Sequence, residues 1–426
     1  MDINATKIMT TFVRLGRRVP GVLYESAAGD GTTAKRTAVL VMHSDEDYLT
    51  CPTGPELASR GFTVLCANVM VKEGLFFSQI EKMSCVCAAM DYLKNTLKMD
   101  RVYLMGHSGG ATLMTCYQAI AENGADIFRG EEMIYPWPED GRCYIPADGV
   151  LLLDANWGNS VMQLLSLDPA VTDEKSGKKI NEELNLFNPD NGFRPEGSTY
   201  TEAFRRKFMA AQSARNMRIL RQAQERLVCI DRGEGNYADD EPLIIPGANQ
   251  AFFNNKLYPQ DISLMAHTRE AYDLIHADGS ITHEQIRSAR KPENPVSMTD
   301  NLAEGGRMMT VRNYLSSYAV KTAENYGYDA EHVWGIDWNS TYTSPVSNAA
   351  YIHAPMLIMG MTGGGEFLAA EEIYHRAAAE DKSICFVEGA SHKFTPATAY
   401  EAYPGQFGDT MKLLHDYVAG WLEERQ

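Results

Sequence analysis

Apolar residues in the first third of the chain follow two alternating rhythms. Thr37-Ala-Val-Leu-Val-Met-His43, Phe62-Thr-Val-Leu-Cys-Ala67, Val102-Tyr-Leu-Met105 and Gly149-Val-Leu-Leu-Leu-Asp154 are short unbroken runs. That is the pattern of strands buried on both faces of a parallel sheet. Between them, residues 56–60 form a short predicted helix ended by Gly61. Across 78–99, Ile80, Met83, Cys87, Met90, Leu93 and Leu97 recur at spacings of three and four, one stripe along a helix, and residues 111–122 read as another helix. This alternation predicts a sheet with crossover helices.

The rhythm returns late in the chain, as a strand over 355–360, a helix over 371–380, a strand over 383–387 and a last helix over 407–424. In between it breaks. A long helix is predicted over 201–227, then a segment rich in Asp, Gly, Pro and Asn over 231–255. A hairpin over 269–282 turns at Asp278-Gly279, and a helix follows over 308–324. So long a stretch is not a structureless connection. The expected organisation is an α/β core, a mostly parallel sheet flanked by helices, made from residues 1–155 and 346–426. Residues 156–345 form a large, mainly helical inserted cap.

Composition narrows the function. With 426 residues, 44% hydrophobic and 22% charged, the chain can bury a sizeable core. Its formal net charge of −17 repels nucleic-acid phosphates and anionic membranes, so neither is an expected partner. The first 18 residues carry basic side chains without the apolar run of a signal peptide, and no window resembles a membrane span. A cytoplasmic protein is expected, with self-association into a homo-oligomer left open. The eight cysteines are scattered, and Cys85 and Cys87 have no companion pair at zinc-site spacing. Buried reduced thiols are expected, without a metal.

The chemistry-bearing motif is Gly106-His107-Ser108-Gly109-Gly110, placed between a predicted strand and a predicted helix. A sharp turn there lifts a serine hydroxyl clear of the sheet, and small neighbours let the turn close. A partner base should follow a late strand, and His392, in Glu388-Gly-Ala-Ser-His-Lys-Phe, sits just past the strand ending at Val387. The acid is open among three carboxylates. Glu366, in the glycine-rich loop after the 355–360 strand, is the leading candidate, 26 residues before His392. Asp154 ends the strand after the motif, and Glu372 starts the next helix, where an acid is also an ordinary dipole partner.

These features resemble the α/β-hydrolase superfamily over residues 36–155 and 350–426. Leu167-Asp-Pro-Ala-Val-Thr-Asp-Glu, Gly335-Ile-Asp-Trp-Asn-Ser and Met359-Gly-Met-Thr-Gly further resemble a capped serine-hydrolase and esterase branch from bacteria and fungi. The resemblance implies Ser108 as nucleophile, His392 as general base and an oxyanion hole using the Gly109 amide. A second amide would come from Ser44 or Asp45, which stand after His43 where relatives carry glycines. Carboxylates of Asp45, Glu46 and Asp47 near the mouth would disfavour anionic substrates. His43, His107, Trp157, Trp338 and Phe367 are candidate pocket residues, as are Trp334 and Tyr342, with core packing the alternative for each aromatic. The implied activity is hydrolysis of a small or medium organic ester or lactone through an acyl-enzyme, with no cofactor. A carbon–carbon bond hydrolase and a non-catalytic binding protein on the same fold are the alternatives.

Overall fold

The computed structural model describes residues 8–16, 19–26, 36–69, 77–139, 141–249, 256–292 and 305–425. The end of the Asp- and Gly-rich segment (250–255) and much of the basic N-terminal stretch (1–7 and 17–18) lie outside the described residues.

The strands are β1 (Ile8–Leu15), β2 (Val19–Ser26), β3 (Thr37–Met42), β4 (Thr63–Ala67), β5 (Arg101–Ser108), β6 (Gly149–Ala155), β7 (Pro242–Ile245), β8 (His267–Ile275), β9 (Ile281–Arg287), β10 (Arg307–Thr310), β11 (Lys321–Tyr328), β12 (Val333–Asp337), β13 (Met356–Met361) and β14 (Lys382–Val387). Among the described residues, ten of them form one sheet in the order β1-β2-β4-β3-β5-β6-β13-β14-β8-β9. From β4 to β8 every neighbouring pair is parallel. β1, β2 and β9 join antiparallel at the two margins.

The central strands are apolar throughout because both faces are covered. On one face Leu40, Leu104, Leu152 and Ile358 pack with α2 (Gln79–Asp91) and α3 (Gly110–Asn123). On the other, Val39, Val41, Leu151, Leu153 and Met359 meet Leu57 of α1 (Thr53–Ser59) and Leu414, Val418 and Leu422 of the C-terminal helix Thr410–Glu423. Helix α2 starts at a capping box, Ser78 and Glu81 each satisfying the other's backbone N–H, and passes into a wider π turn over Tyr92–Thr96.

The inserted segment departs from expectation in two ways. Its hairpin forms as predicted, but β8 docks parallel on β14, with Cys385 opposite Asp273, so residues 267–287 extend the core sheet. The expected helix over 308–324 is instead β10, a short helix Val311–Ser317 capped by Thr310, and β11. β10 pairs with β7 and β11 with β12. Pairing overrode a local pattern too weak to hold a long helix. The segment is therefore mixed rather than mainly helical. Besides α4 (Asn159–Leu165), its longest element is α5 (Glu202–Asp231), started by the Thr201 side chain accepting from the Phe204 amide. Buried Arg215 on α5 is fully engaged: it grips Glu174 at 2.6 and 2.8 Å and donates to the carbonyls of Asp168 and Pro246. Among the described residues no helix is long and apolar enough to cross a membrane.

Candidate active site

β5 ends at Ser108 and α3 begins at Gly110, leaving one residue to reverse the chain. Ser108 accordingly takes φ +54°, a left-handed conformation that side chains other than glycine rarely adopt. A Cβ on Gly106 would stand 2.6 Å from the Ala111 nitrogen, and one on Gly110 would collide with the Met42 carbonyl. The strand-to-helix turn therefore closes only around glycine at both positions. A strained serine on such a turn, at the carboxyl ends of parallel strands in this order, decides the architecture. The fold is that of the α/β-hydrolases.

His392 lies in the turn after β14, held by a 2.7 Å bond from the Ser391 amide to the Thr395 carbonyl. Its Nδ1–H donates to Asp154 Oδ2 at 2.6 Å. Asp154 reaches it through a bulge. Leu153 pairs with His107 and Ala155 with Ser108, so Asp154 is the extra residue in β6, at φ +49°. Its other oxygen, Oδ1, accepts from the Met361 amide at 2.9 Å, which fixes the carboxylate. Burial acts most strongly on the imidazole and disfavours its charged form, but Asp154, then Glu366 and Glu46, outweigh it. The His392 pKa ends above the ordinary histidine value.

The leading sequence candidate for the acid, Glu366, does not make that bond. β13 neighbours β14 and so lies nearer the His392 turn than β6 does, yet it is the bulge in β6 that turns a carboxylate, Asp154, onto the imidazole. Glu366 is buried and lines a cavity of about 360 Å³ together with Asp154, His392, Tyr258 and Arg290. Burial raises its carboxyl pKa, Asp154 adding to the rise while His392 and Lys256 oppose it. Glu372 pairs instead with Arg269, at 2.7 Å.

The loop after β3 also departs from expectation. The amides of Asp45 and Glu46 both donate to His43 Nδ1, at 3.1 and 2.9 Å, which removes the Asp45 amide from the oxyanion donors. Ser44 is buried, its hydroxyl donating to Asp45 Oδ2 at 2.7 Å. The Asp45 carboxylate does not stand bare at the mouth, because the buried ammonium of Lys82 meets it at 2.7 Å. Burial alone would raise that carboxyl, but Lys82 and Ser44 bring it down to about 2.

His107 is buried beneath the site. Its Nε2 lies 2.6 Å from the His392 carbonyl, an acceptor only, so Nε2 carries the proton and Nδ1 accepts from the Tyr48 hydroxyl. Trp157 and Phe367 are core residues, at 0% and 1% exposure, and Trp338 packs partly buried against the same core. Tyr342 is likewise core, edge-on to Trp137, while Trp334 lies beside His332. None of these aromatics lines the cavity at His392.

Sequence reasoning missed Asn156, whose Nδ2 stands 3.5 Å from Ser108 Oγ, and Tyr48 and Lys82. Lys82 carried a signal, a lone cation inside the apolar stripe of α2. Among the described residues no cluster of three or more His, Cys, Asp or Glu is placed to hold a metal ion.

No protein-family model and no curated protein matches the sequence. Solved structures align with it at low identity and low structural similarity. A hypothetical protein of Pseudomonas aeruginosa is 13% identical over 99% of this chain and 95% of its own, with a TM-score of 0.41. A hormone-sensitive lipase from a metagenome library is 11% identical over 98% and 86%, at 0.41. Est1E of Butyrivibrio proteoclasticus is 10% identical over 98% of each chain, at 0.40.

Proposed function

We propose that this protein is a serine hydrolase acting on a small or medium organic ester or lactone. Ser108 is the nucleophile, His392 the general base and Asp154 the acid. The observation that carries the reading is the 2.6 Å bond from His392 Nδ1 to a buried, doubly anchored Asp154, beside a serine in a strained turn. That bond places the imidazole proton on Nδ1 and leaves Nε2 to take the proton of Ser108.

In the forward step the Ser108 Oγ–carbonyl carbon bond forms while the proton passes to His392. The tetrahedral oxyanion collapses, the leaving oxygen takes the proton from His392, and the acyl group stays on Ser108. Water, deprotonated by the same imidazole, then attacks the acyl carbon, and the Ser108 Oγ–acyl bond breaks as Oγ takes the proton back from His392, releasing the acid. A cavity of about 360 Å³ lined by His392 and Asp154, though not by Ser108, adjoins the pair. A fluorophosphonate probe should label Ser108, and the protein should turn over p-nitrophenyl acetate. An unlabelled Ser108 in folded protein would refute the reading.

A further inference from the structure

One of the two loop amides that could serve the oxyanion is turned away from it. Hydrolysis of the kind proposed above needs N–H groups aimed at the developing charge, and the Gly109 amide, next to the nucleophile, is one of them. The amide that would ordinarily join it, from the loop after β3, is engaged elsewhere: Asp45 N–H points at His43 Nδ1, as does Glu46 N–H.

That diversion has a chemical consequence. A neutral imidazole carries one proton, and a nitrogen that accepts two amide bonds cannot hold it. The proton is on Nε2. His43 is buried, and burial, the largest influence, pulls its pKa down to about 4 against the pull of Asp45, so the ring stays neutral through the working range of an esterase. Tyr48 stacks on the ring, centroids 4.7 Å apart and planes within 20°, which fixes its orientation. The far nitrogen arrives beside the nucleophile's neighbour: a Cβ built on Gly109 would lie 3.2 Å from His43 Nε2 and 2.7 Å from Ser44 Oγ. Among the described residues His43 Nε2 has no hydrogen-bond partner.

We propose that the His43 side chain, through Nε2–H, is the second oxyanion donor beside the Gly109 amide. The assignment rests on the serine-hydrolase reading and adds a catalytic residue to it. The loop gives up a backbone donor and gains a side-chain one, since the amides that bind Nδ1 are what place the proton on Nε2. It also accounts for the absence of glycine after His43. A glycine-rich loop brings its own amides to the oxyanion, whereas this loop turns them inward to orient a ring.

Two substitutions separate the two ends of the ring. His43→Asn keeps an oxygen near Nδ1 to accept the loop amides but has nothing near Nε2. His43→Gln places an amide N–H near Nε2. With p-nitrophenyl acetate, His43→Asn should lose about 10²–10³ in kcat, the usual loss for one oxyanion donor, with KM changed less than about threefold. His43→Gln should stay within about tenfold of wild type. Phosphonylation of Ser108 by a fluorophosphonate should slow in the same order, because its phosphonyl oxygen occupies the oxyanion position.

Equal kcat in wild type and His43→Asn would overturn the assignment and leave the oxyanion to the Ser44 amide. Equal losses in both variants would also overturn it, since the ring would then matter only for loop structure. Wild-type protein unlabelled at Ser108 overturns the hydrolase reading itself. If either variant fails to fold, proton NMR of the wild type decides: the His43 Nε2–H resonance should move downfield on phosphonylation, and an unmoved resonance overturns the proposal.

Discussion

His107 Nε2–H donates to the backbone carbonyl of His392 at 2.6 Å, so the residue before Ser108 holds the loop that carries His392. Tyr48, bonded to the other ring nitrogen, sets the tautomer that makes this possible. His107→Phe fills a similar volume without the bond. It should melt within a few degrees of wild type yet lose about 10–10² in kcat, because small misplacements of a catalytic group are costly. Unchanged kcat in a steady-state ester assay would show that the His392 turn holds itself.

The acid is tested by comparing Asp154→Asn, Glu366→Gln and Glu372→Gln. Asp154→Asn should lower kcat by about 10²–10⁴, and the other two by less than about tenfold. The pH profile adds a sign. Asp154 and Glu366 both favour the protonated imidazole, so the acid limb of kcat/KM in wild type lies above the ordinary histidine pKa. Removing either carboxylate should move that limb to lower pH, and further for Asp154, the larger influence. Movement to higher pH would contradict the arrangement.

Ser108→Ala should fold normally and lose turnover of p-nitrophenyl acetate, leaving at most residual catalysis on the order of 10³ over water. Retained activity would point to chemistry elsewhere in the molecule.

Acid should destabilise the protein before its carboxylates are neutralised. Burial lowers the pKa of His43 and His415 to about 4, and that of His107 well below the ordinary value. Each is neutral when folded, His415 donating from Nδ1 to the Met411 carbonyl and accepting at Nε2 from Thr53. The unfolded chain takes up these protons first as pH falls. For His43 and His415 the stabilising contribution is complete above the unfolded histidine pKa and is lost between there and about pH 4, and for His107 it is lost in the same direction. Each such group steepens the loss by about 1.4 kcal/mol per pH unit. His392, raised instead, acts in the opposite sense and offsets part of this, since its contribution fades as pH rises through its folded pKa. Urea midpoints at pH 7 and pH 5 measure the balance, and equal midpoints would argue against neutral buried rings.

The strands around Ser108 were legible because a strand covered on both faces must be apolar at every position, and the elbow because its glycines answer to backbone collisions. The position of His392 in the turn after β14 was legible from the strand that precedes it. Asp154 was underweighted because the bulge is a relation between β5 and β6, and neither strand announces an extra residue by itself. The same limit hid the docking of β8 on β14: the Asp278-Gly279 turn marks a hairpin, not the edge it will join. β1 was missed for a different reason. Its apolar residues come as Ile8-Met9 and Phe12-Val13, split by Thr10-Thr11, with Met9 and Phe12 exposed, so neither an apolar run nor an alternation forms.

That hairpin also bears on how such a chain could have been assembled. β8 and β9 are encoded within the stretch that interrupts the core, yet they complete the hydrogen bonding of the core's own last strand. Excising residues 156–345 would bare the outer edge of β14 as a row of unpaired N–H and C=O groups, a template for aggregation. The interruption therefore cannot be cut out as a block without exposing that edge. Host and insert share a sheet, and a minimal version of this protein has to keep the strands His267–Ile275 and Ile281–Arg287 whatever else it discards.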